Sequence, residues 1–151
     1  MRAMPALLPG PESQTMPTRA TGRFEVEMQP LPLADAEAGA LLGRMSLRKV
    51  FSGDLVGTGS GEMLTAGTTV KGSAGYVAIE RVAATLHGRT GSFALQHVGT
   101  MTRGAPQLSV TVVPDSGTDQ LVGLSGTLNI IRADGQHRYE FDYELPRHAD
   151  T

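Results

Sequence analysis

The fold is decided by Gly72–Met101, GSAGYVAIERVAATLHGRTGSFALQHVGTM, which its alternating pattern predicts to be two long strands joined by a tight turn at 87–91. Successive side chains of a strand point to opposite faces of its sheet. Every second residue from Tyr76 therefore shares one face of the first strand, and every second residue from Phe93 shares one face of the second. If these two faces point inward, the hairpin supplies a wall of a hydrophobic core.

Glu80 and His97 are the residues of this hairpin that can carry chemistry, and both fall on the two predicted inward faces. A carboxylate beside an imidazole in an apolar interior is a general acid–base pair, and burial shifts both titrations toward neutral pH. We therefore predict that Glu80 and His97 are catalytic, as base and acid. The alternatives are a buried structural pair, or a Glu80 that neutralises Arg48 or Arg89.

Composition bounds the class of protein. A length of 151 residues and a hydrophobic content of 40% predict one domain with its own core. Because the chain has no cysteine, disulfides and thiolate metal sites are excluded. A net charge of −2 gives no electrostatic case for binding nucleic acid or an anionic membrane. We expect a disordered N-terminal tail at 1–20, a domain at 21–146, a C-terminal tail at 147–151, and a cytoplasmic location.

Six further stretches alternate and are bounded by turn residues. Pro30 and Pro32 are predicted to end the first of them, and 33–40 is predicted to be a helical turn or a loop. With the central pair there are eight strands at hairpin spacing, which favours an all-β fold, an antiparallel meander closed into a β-barrel. A β-sandwich is the alternative. The six predicted strands are Thr21–Met28, Leu41–Phe51, Leu55–Ala66, Gln107–Val113, Leu121–Ala133 and His137–Leu145.

Glycine is found at every second position from Gly57 to Gly61, on one face of a predicted strand. Such glycines allow a sharp bend or leave room for a bulky neighbour. The segment is not predicted to bind phosphate, because it continues as a strand and no lysine follows it. The four histidines lack HxH or HxxxH spacing and no serine lies in a GxSxG motif, so we expect neither a metal site nor a serine nucleophile.

Three segments resemble a family of small, uncharacterised bacterial proteins, the domain of unknown function 3224. They are GYVAIERVAATLHGRTGSFALQH in the central hairpin, FSGDLVGTG at Phe51–Gly59 and LVGLSGT at Leu121–Thr127. That family is grouped with the allene oxide cyclase and dirigent barrels, so the resemblance implies an eight-stranded antiparallel barrel. Those relatives hold an apolar, reactive intermediate in the barrel lumen and steer its ring closure or coupling without a cofactor.

The resemblance also bears on the site, because the family's recurrent Glu and His match Glu80 and His97. We expect a cofactor-free barrel that binds a small apolar molecule and isomerises or cyclises it, and, by the relatives, a homodimer or homotrimer. The alternatives are a carrier of the same shape without turnover and a structural barrel whose lumen is filled. The residues that we expect to contact the ligand are Tyr76, Phe93, Leu95, Met101, Tyr139, Phe141 and Tyr143.

Overall fold

The computed structural model describes residues 16–34 and 41–146, so most of the predicted tail at 1–20, most of the predicted helical turn or loop at 33–40 and the whole tail at 147–151 lie outside the described residues. Each strand in this part of the chain pairs antiparallel with the next, and the last strand pairs with the first, which closes a barrel. The predicted eight-stranded meander barrel is therefore confirmed. The strands are β1 (Thr18–Leu31), β2 (Leu42–Gly53), β3 (Leu55–Gly67), β4 (Ala74–Leu86), β5 (Arg89–Thr102), β6 (Ala105–Val112), β7 (Ser125–Ala133) and β8 (Gln136–Glu144).

The central hairpin has a shorter turn than the predicted one. Leu86 pairs directly with Arg89, so that only His87 and Gly88 form the turn. Both have positive φ angles, 46° and 83°, as a two-residue turn of type I′ requires. The tight turn fixes the register of β4 against β5 over their whole length, and this register brings the inward residues of the two strands together.

Strand β1 is longer at both ends than its alternation predicts. It begins at Thr18 because β8 pairs with residues 18–24, and Ala20 is fully buried there. It also continues through Pro30, which was wrongly predicted to end it. Beyond Phe24 the strand pairs only with β2, and a proline is tolerated on the unpaired edge of a strand, where no ladder hydrogen bond is lost.

The prediction of a strand over Leu121–Ala133 is wrong at its start, because β7 begins at Ser125. Residues 119–121 form a short 3₁₀ turn whose last residue, Leu121, is buried in the hydrophobic core. The loop between β6 and β7 lies along the edge of β5 that β6 does not reach, where the side chains of Ser116, Thr118 and Gln120 accept hydrogen bonds from backbone N–H groups of β5. Side-chain oxygens thus take the place of a neighbouring strand's carbonyl acceptors, while backbone N–H groups of Val113 and Thr118 donate to the carbonyls of Ala94 and Ser92.

The barrel lumen has two unlike halves. One half, here called the filled half, is packed with large buried side chains. The hydroxyl of Tyr139 closes its bottom by accepting a hydrogen bond from the Leu55 N–H (2.9 Å) and donating one to the Ser52 carbonyl (2.8 Å). The other half, the open half, contains a cavity. The largest side chains of the filled half are Phe51, Leu55, Leu86, Phe93, Leu95, Leu128, Tyr139 and Phe141.

The glycines of β3 make room for neighbours, as predicted. A Cβ at Gly57 would lie 2.5 Å from the Cβ of Ala84, and a Cβ at Gly59 would lie 2.4 Å from Oε2 of Glu80. Gly59 is therefore the position that lets a carboxylate occupy the middle of the lumen. No helix among the described residues has the length and apolar character to cross a membrane.

Candidate functional site

The open half contains a cavity of about 710 Å³. This volume falls within the range of roughly 300–1,000 Å³ that is common for small-molecule sites. Its wall is mostly apolar, and flexible methionines contribute from three strands, which allows the wall to adapt to a ligand. The apolar side chains of the lining are Phe24, Val26, Met28, Leu47, Met63, Ala74, Ala78, Met101, Pro106, Leu108 and Ile130.

Three ionisable side chains, Lys49, Glu80 and His97, form a buried cluster between the cavity and the filled half. The carboxylate oxygen Oε1 of Glu80 accepts hydrogen bonds from Nζ of Lys49 (2.8 Å) and from Nε2 of His97 (2.6 Å). The exposed fractions are 5% for Lys49, 0% for Glu80 and 3% for His97. Lys49 and His97 line the cavity, whereas Glu80 lies behind them.

The electrostatics of the cluster favour an ionised Glu80. Burial by itself raises the pKa of this carboxyl, but the hydrogen bond from His97 and the charge and hydrogen bond of Lys49 outweigh burial and bring the pKa below its ordinary value. An ionised carboxylate only accepts hydrogen bonds, so Nε2 of His97 carries the proton of the shared bond. The other ring nitrogen, Nδ1, then has a lone pair whenever the imidazole is neutral.

The positions of the remaining polar atoms indicate which group a ligand can reach. Among the described residues, the only sealed side-chain polar atom without a hydrogen-bond partner is Oε2 of Glu80. Nδ1 of His97 has no hydrogen-bond partner among these residues either, and the His97 side chain contributes to the cavity lining. The ammonium of Lys49 lies 4.7 Å from the ring centroid of Phe24, which adds a cation–π contact at the cavity floor.

Lys49 is the residue of the cluster that was missed from the sequence. Lys49 alternates with Leu47 and Phe51 along its strand, so a charge between two apolar residues of one face is the signal that could have found it. The alternative that Glu80 neutralises Arg48 or Arg89 is wrong: both arginines are exposed, and Lys49 is the cation that Glu80 contacts.

A second polar group, here called the mouth cluster, consists of Tyr76, Arg132 and His137. Arg132 and His137 are direct partners across β7 and β8, and Nε of Arg132 donates to Nε2 of His137 (3.2 Å). Burial, opposed by the charge of Arg132, raises the pKa of Tyr76, and burial together with the charges of Arg132 and Lys49 lowers the pKa of His137. The ring of Tyr76 lies over Gly99, where a Cβ would be 2.4 Å away.

Arg132 and His137 were also missed, although alternation could have found them. His137 has the same parity along β8 as the predicted inward residue Tyr139, and Arg132 has the same parity along β7 as Ile130. Both lie near a hairpin turn, where the sequence favours solvent exposure. Closure of the barrel places this turn at the rim of the cavity, so that Arg132 is exposed and also contributes to the lining.

The residues predicted to contact a ligand fall in different places. Tyr76 and Met101 line the cavity, as do His97 and Lys49. The other five are not part of its lining. Tyr143 lies at the far end of the barrel, where its hydroxyl is 2.6 Å from Nδ1 of His87. The remaining four are buried side chains of the filled half: Phe93, Leu95, Tyr139 and Phe141.

No group of three or more His, Asp or Glu side chains with the spacing of a metal site occurs in the described ranges 16–34 and 41–146. Glu80 and His97 form a pair, and their third partner is an ammonium group, which repels a cation.

Comparisons with known proteins place the chain in a family without assigning an activity. The family model described as "Protein of unknown function (DUF3224)" matches residues 20–143. The crystal structure of a protein of unknown function from the DUF3224 family, from Shewanella oneidensis MR-1, matches with a TM-score of 0.82 and 49% sequence identity, over 87% of this chain and 99% of that chain. No curated protein shows significant similarity. The likeness to allene oxide cyclase and dirigent barrels stays a prediction.

Proposed function

This chain belongs to the DUF3224 family, and we propose that it binds a small, largely apolar molecule in the open half of its barrel. The observation that carries the proposal is the cavity of about 710 Å³ with a mostly apolar wall and a few polar groups at its two ends. Apolar surface that leaves water on binding contributes roughly 25 cal/mol per Å². The wall therefore supplies affinity, and the polar groups supply orientation.

The distribution of side-chain size along the strands supports binding over a filled structural barrel. The filled half has large aromatic and aliphatic side chains at its inward positions. In the open half, β4 and β5 have Ala74, Ala78 and Gly99 at inward positions. A barrel whose lumen only needed filling would use larger residues there, since interiors are normally packed without voids of this size.

Turnover is the second candidate, and the orientation of His97 favours it. The predicted base, Glu80, is sealed behind the cavity wall, so His97 and Lys49 are the members of the buried cluster that a ligand can touch. We assign Glu80 the role of positioning His97, whose Nδ1 then takes a proton from a carbon next to a ligand carbonyl and returns it to another atom of the same ligand. Lys49 stabilises the negative charge that develops on the carbonyl oxygen. The net change is an isomerisation, and no cofactor enters it.

Binding can be tested with N-phenyl-1-naphthylamine, a neutral dye whose fluorescence rises in apolar sites. The wild-type barrel should bind it. Ala78→Phe, which places a ring inside the cavity, should abolish binding, whereas Ala83→Phe on the exposed face of the same strand should not. Far-ultraviolet circular dichroism of both variants serves as the control for folding. Equal binding by the two variants would place the dye outside the lumen and contradict the proposal.

An enzyme and a non-catalytic carrier can be distinguished once a bound compound is identified by native mass spectrometry of the purified protein. His97→Gln and Glu80→Gln should then lower turnover of that compound class by about 10²–10⁴-fold, the usual contribution of an acid–base group. Affinity should change little in both variants. If the wild type shows no turnover and both variants bind as it does, the barrel is a carrier. The homodimer or homotrimer and the cytoplasmic location stay predictions.

A further inference from the structure

The charged side chains that line the cavity are all cationic or imidazole groups. Lys49, Arg132, His97 and His137 contribute to the lining, and no carboxylate among the described residues does. Glu80 compensates the charge of Lys49 from behind the wall, at 2.8 Å. Arg132 has no such partner: no carboxylate in the described ranges lies within ion-pair distance of it. The uncompensated positive charge of the cavity therefore lies at its mouth.

The mouth cluster holds this charge in place. Nε of Arg132 donates to His137, whose ring stacks on Phe24 with a centroid distance of 5.0 Å. An imidazole that accepts at Nε2 is neutral, so the arginine is held by a neutral partner. Arg19 and Arg44 on the outer surface each contact a carboxylate at 2.7–2.8 Å instead. The guanidinium of Arg132 thus keeps donors free for a second acceptor.

We propose that the ligand is an amphipathic acid whose anionic group accepts hydrogen bonds from the free guanidinium nitrogens of Arg132 at the cavity mouth and whose apolar part extends toward Phe24 and Ala78. The inference rests on the proposed function and names the substrate class of the same cavity. A guanidinium pairs a carboxylate or sulfonate through two parallel hydrogen bonds, a geometry that ammonium groups do not offer. The hydroxyl of Tyr76, which lines the same wall, supplies a further donor. At the other end, Lys49 and His97 face the part of the ligand that lies farthest from its anionic group.

A pair of dyes with one skeleton tests this assignment. The dye 8-anilinonaphthalene-1-sulfonate is N-phenyl-1-naphthylamine with one added sulfonate. Arg132→Gln should weaken binding of the sulfonate dye by about tenfold or more and leave binding of the neutral dye within about twofold. Arg138→Gln is the matched control, because it removes the same charge from an exposed residue of β8 that does not line the cavity. It should leave both affinities unchanged.

Competition between a fatty acid and the neutral dye tests whether the cavity also prefers a carboxylate. Decanoate should displace the neutral dye at concentrations about tenfold lower than decanamide does, and this preference should disappear in Arg132→Gln. If the wild type binds the neutral dye in the cavity but Arg132→Gln binds the sulfonate dye as tightly as wild type, the anion assignment is overturned and the proposed function stands. If Ala78→Phe blocks neither dye, both proposals fail. An equal loss of both dyes in Arg132→Gln would mean a collapsed cavity and would also overturn the anion assignment.

Discussion

Replacement of Lys49 by Met should destabilise the barrel more than simultaneous replacement of Lys49 and Glu80 by Met. The single change leaves the Glu80 carboxylate in a site with 0% exposure, with His97 as its last partner and Oε2 unpaired. Breaking a buried ion pair by removing one partner costs about 3–5 kcal/mol, because an uncompensated charge remains inside. The double change removes both charges and keeps side chains of similar volume.

The structure also predicts how the two single variants differ. Glu80→Met leaves an unpaired ammonium on Lys49, but Lys49 lines the cavity, where water can reach it. We therefore expect a cost at the lower end of the same range, about 3 kcal/mol. The double variant should lose little more than the hydrogen bond to His97, about 1 kcal/mol. Each single variant should therefore cost at least about 2 kcal/mol more than the double variant.

Urea unfolding followed by far-ultraviolet circular dichroism measures these quantities, since the chain has no tryptophan to report on unfolding. With a denaturant dependence of about 1–3 kcal/mol per molar urea, Lys49→Met should lower the midpoint by on the order of 2 M. Additive costs in the cycle would refute the reasoning. They would mean that water screens the pair and that the cluster is not buried in solution.

Three further predictions concern the same barrel. The pKa of Glu80 lies below its ordinary value in the folded state, so its contribution is present above the ordinary glutamate pKa and is lost as the pH falls through the folded-state pKa. The difference between the thermal midpoints of wild type and Glu80→Met should therefore be largest near neutral pH and shrink as the pH falls below the ordinary glutamate pKa, and parallel curves would contradict this. Gly59→Ala should cost about 1–3 kcal/mol in urea unfolding, because its Cβ would meet Oε2 of Glu80 at 2.4 Å, while Gly75→Ala, with 3.6 Å to its nearest neighbour, should change stability by less than about 1 kcal/mol. Tyr139→Phe should also lose about 1–3 kcal/mol, since the Leu55 N–H is left unpaired, yet bind the neutral dye as wild type does; a loss of dye binding would show that the filled half also shapes the site.

The sequence was sufficient for the fold because local patterns determine a meander. The two-residue alternation identifies each inward face, and short Gly-containing turns restrict consecutive strands to hairpins. The same alternation placed Glu80 and His97 on inward faces, and both are buried. It failed at Leu121–Leu124, where apolar residues predict a strand but the side chains of Ser116 and Thr118 bond the free edge of β5.

The depth of each residue in the lumen could not be predicted from the sequence. For this reason, only some of the residues that were expected to contact the ligand line the cavity, and the others are buried elsewhere in the barrel. Alternation tells which face a side chain lies on but not how far along the barrel axis it lies. Met101 and Phe93 share one face of β5, yet Met101 lines the cavity and Phe93 is sealed in the filled half. The difference depends on barrel closure and strand stagger, which are properties of all eight strands together.

The position of the buried cluster is the strongest argument that the open half has a function. A buried ion pair contributes little stability compared with apolar side chains of the same size, so stability alone does not account for Lys49 and Glu80 in the middle of a barrel. Their location beside the cavity, with His97 held by Glu80 and contributing to the cavity lining, is instead what acid–base chemistry requires. The Lys49→Met and Glu80→Met double variant should therefore remain folded and bind the neutral dye, but lose any turnover of the native ligand. Undiminished turnover in this variant would assign the cluster to structure alone.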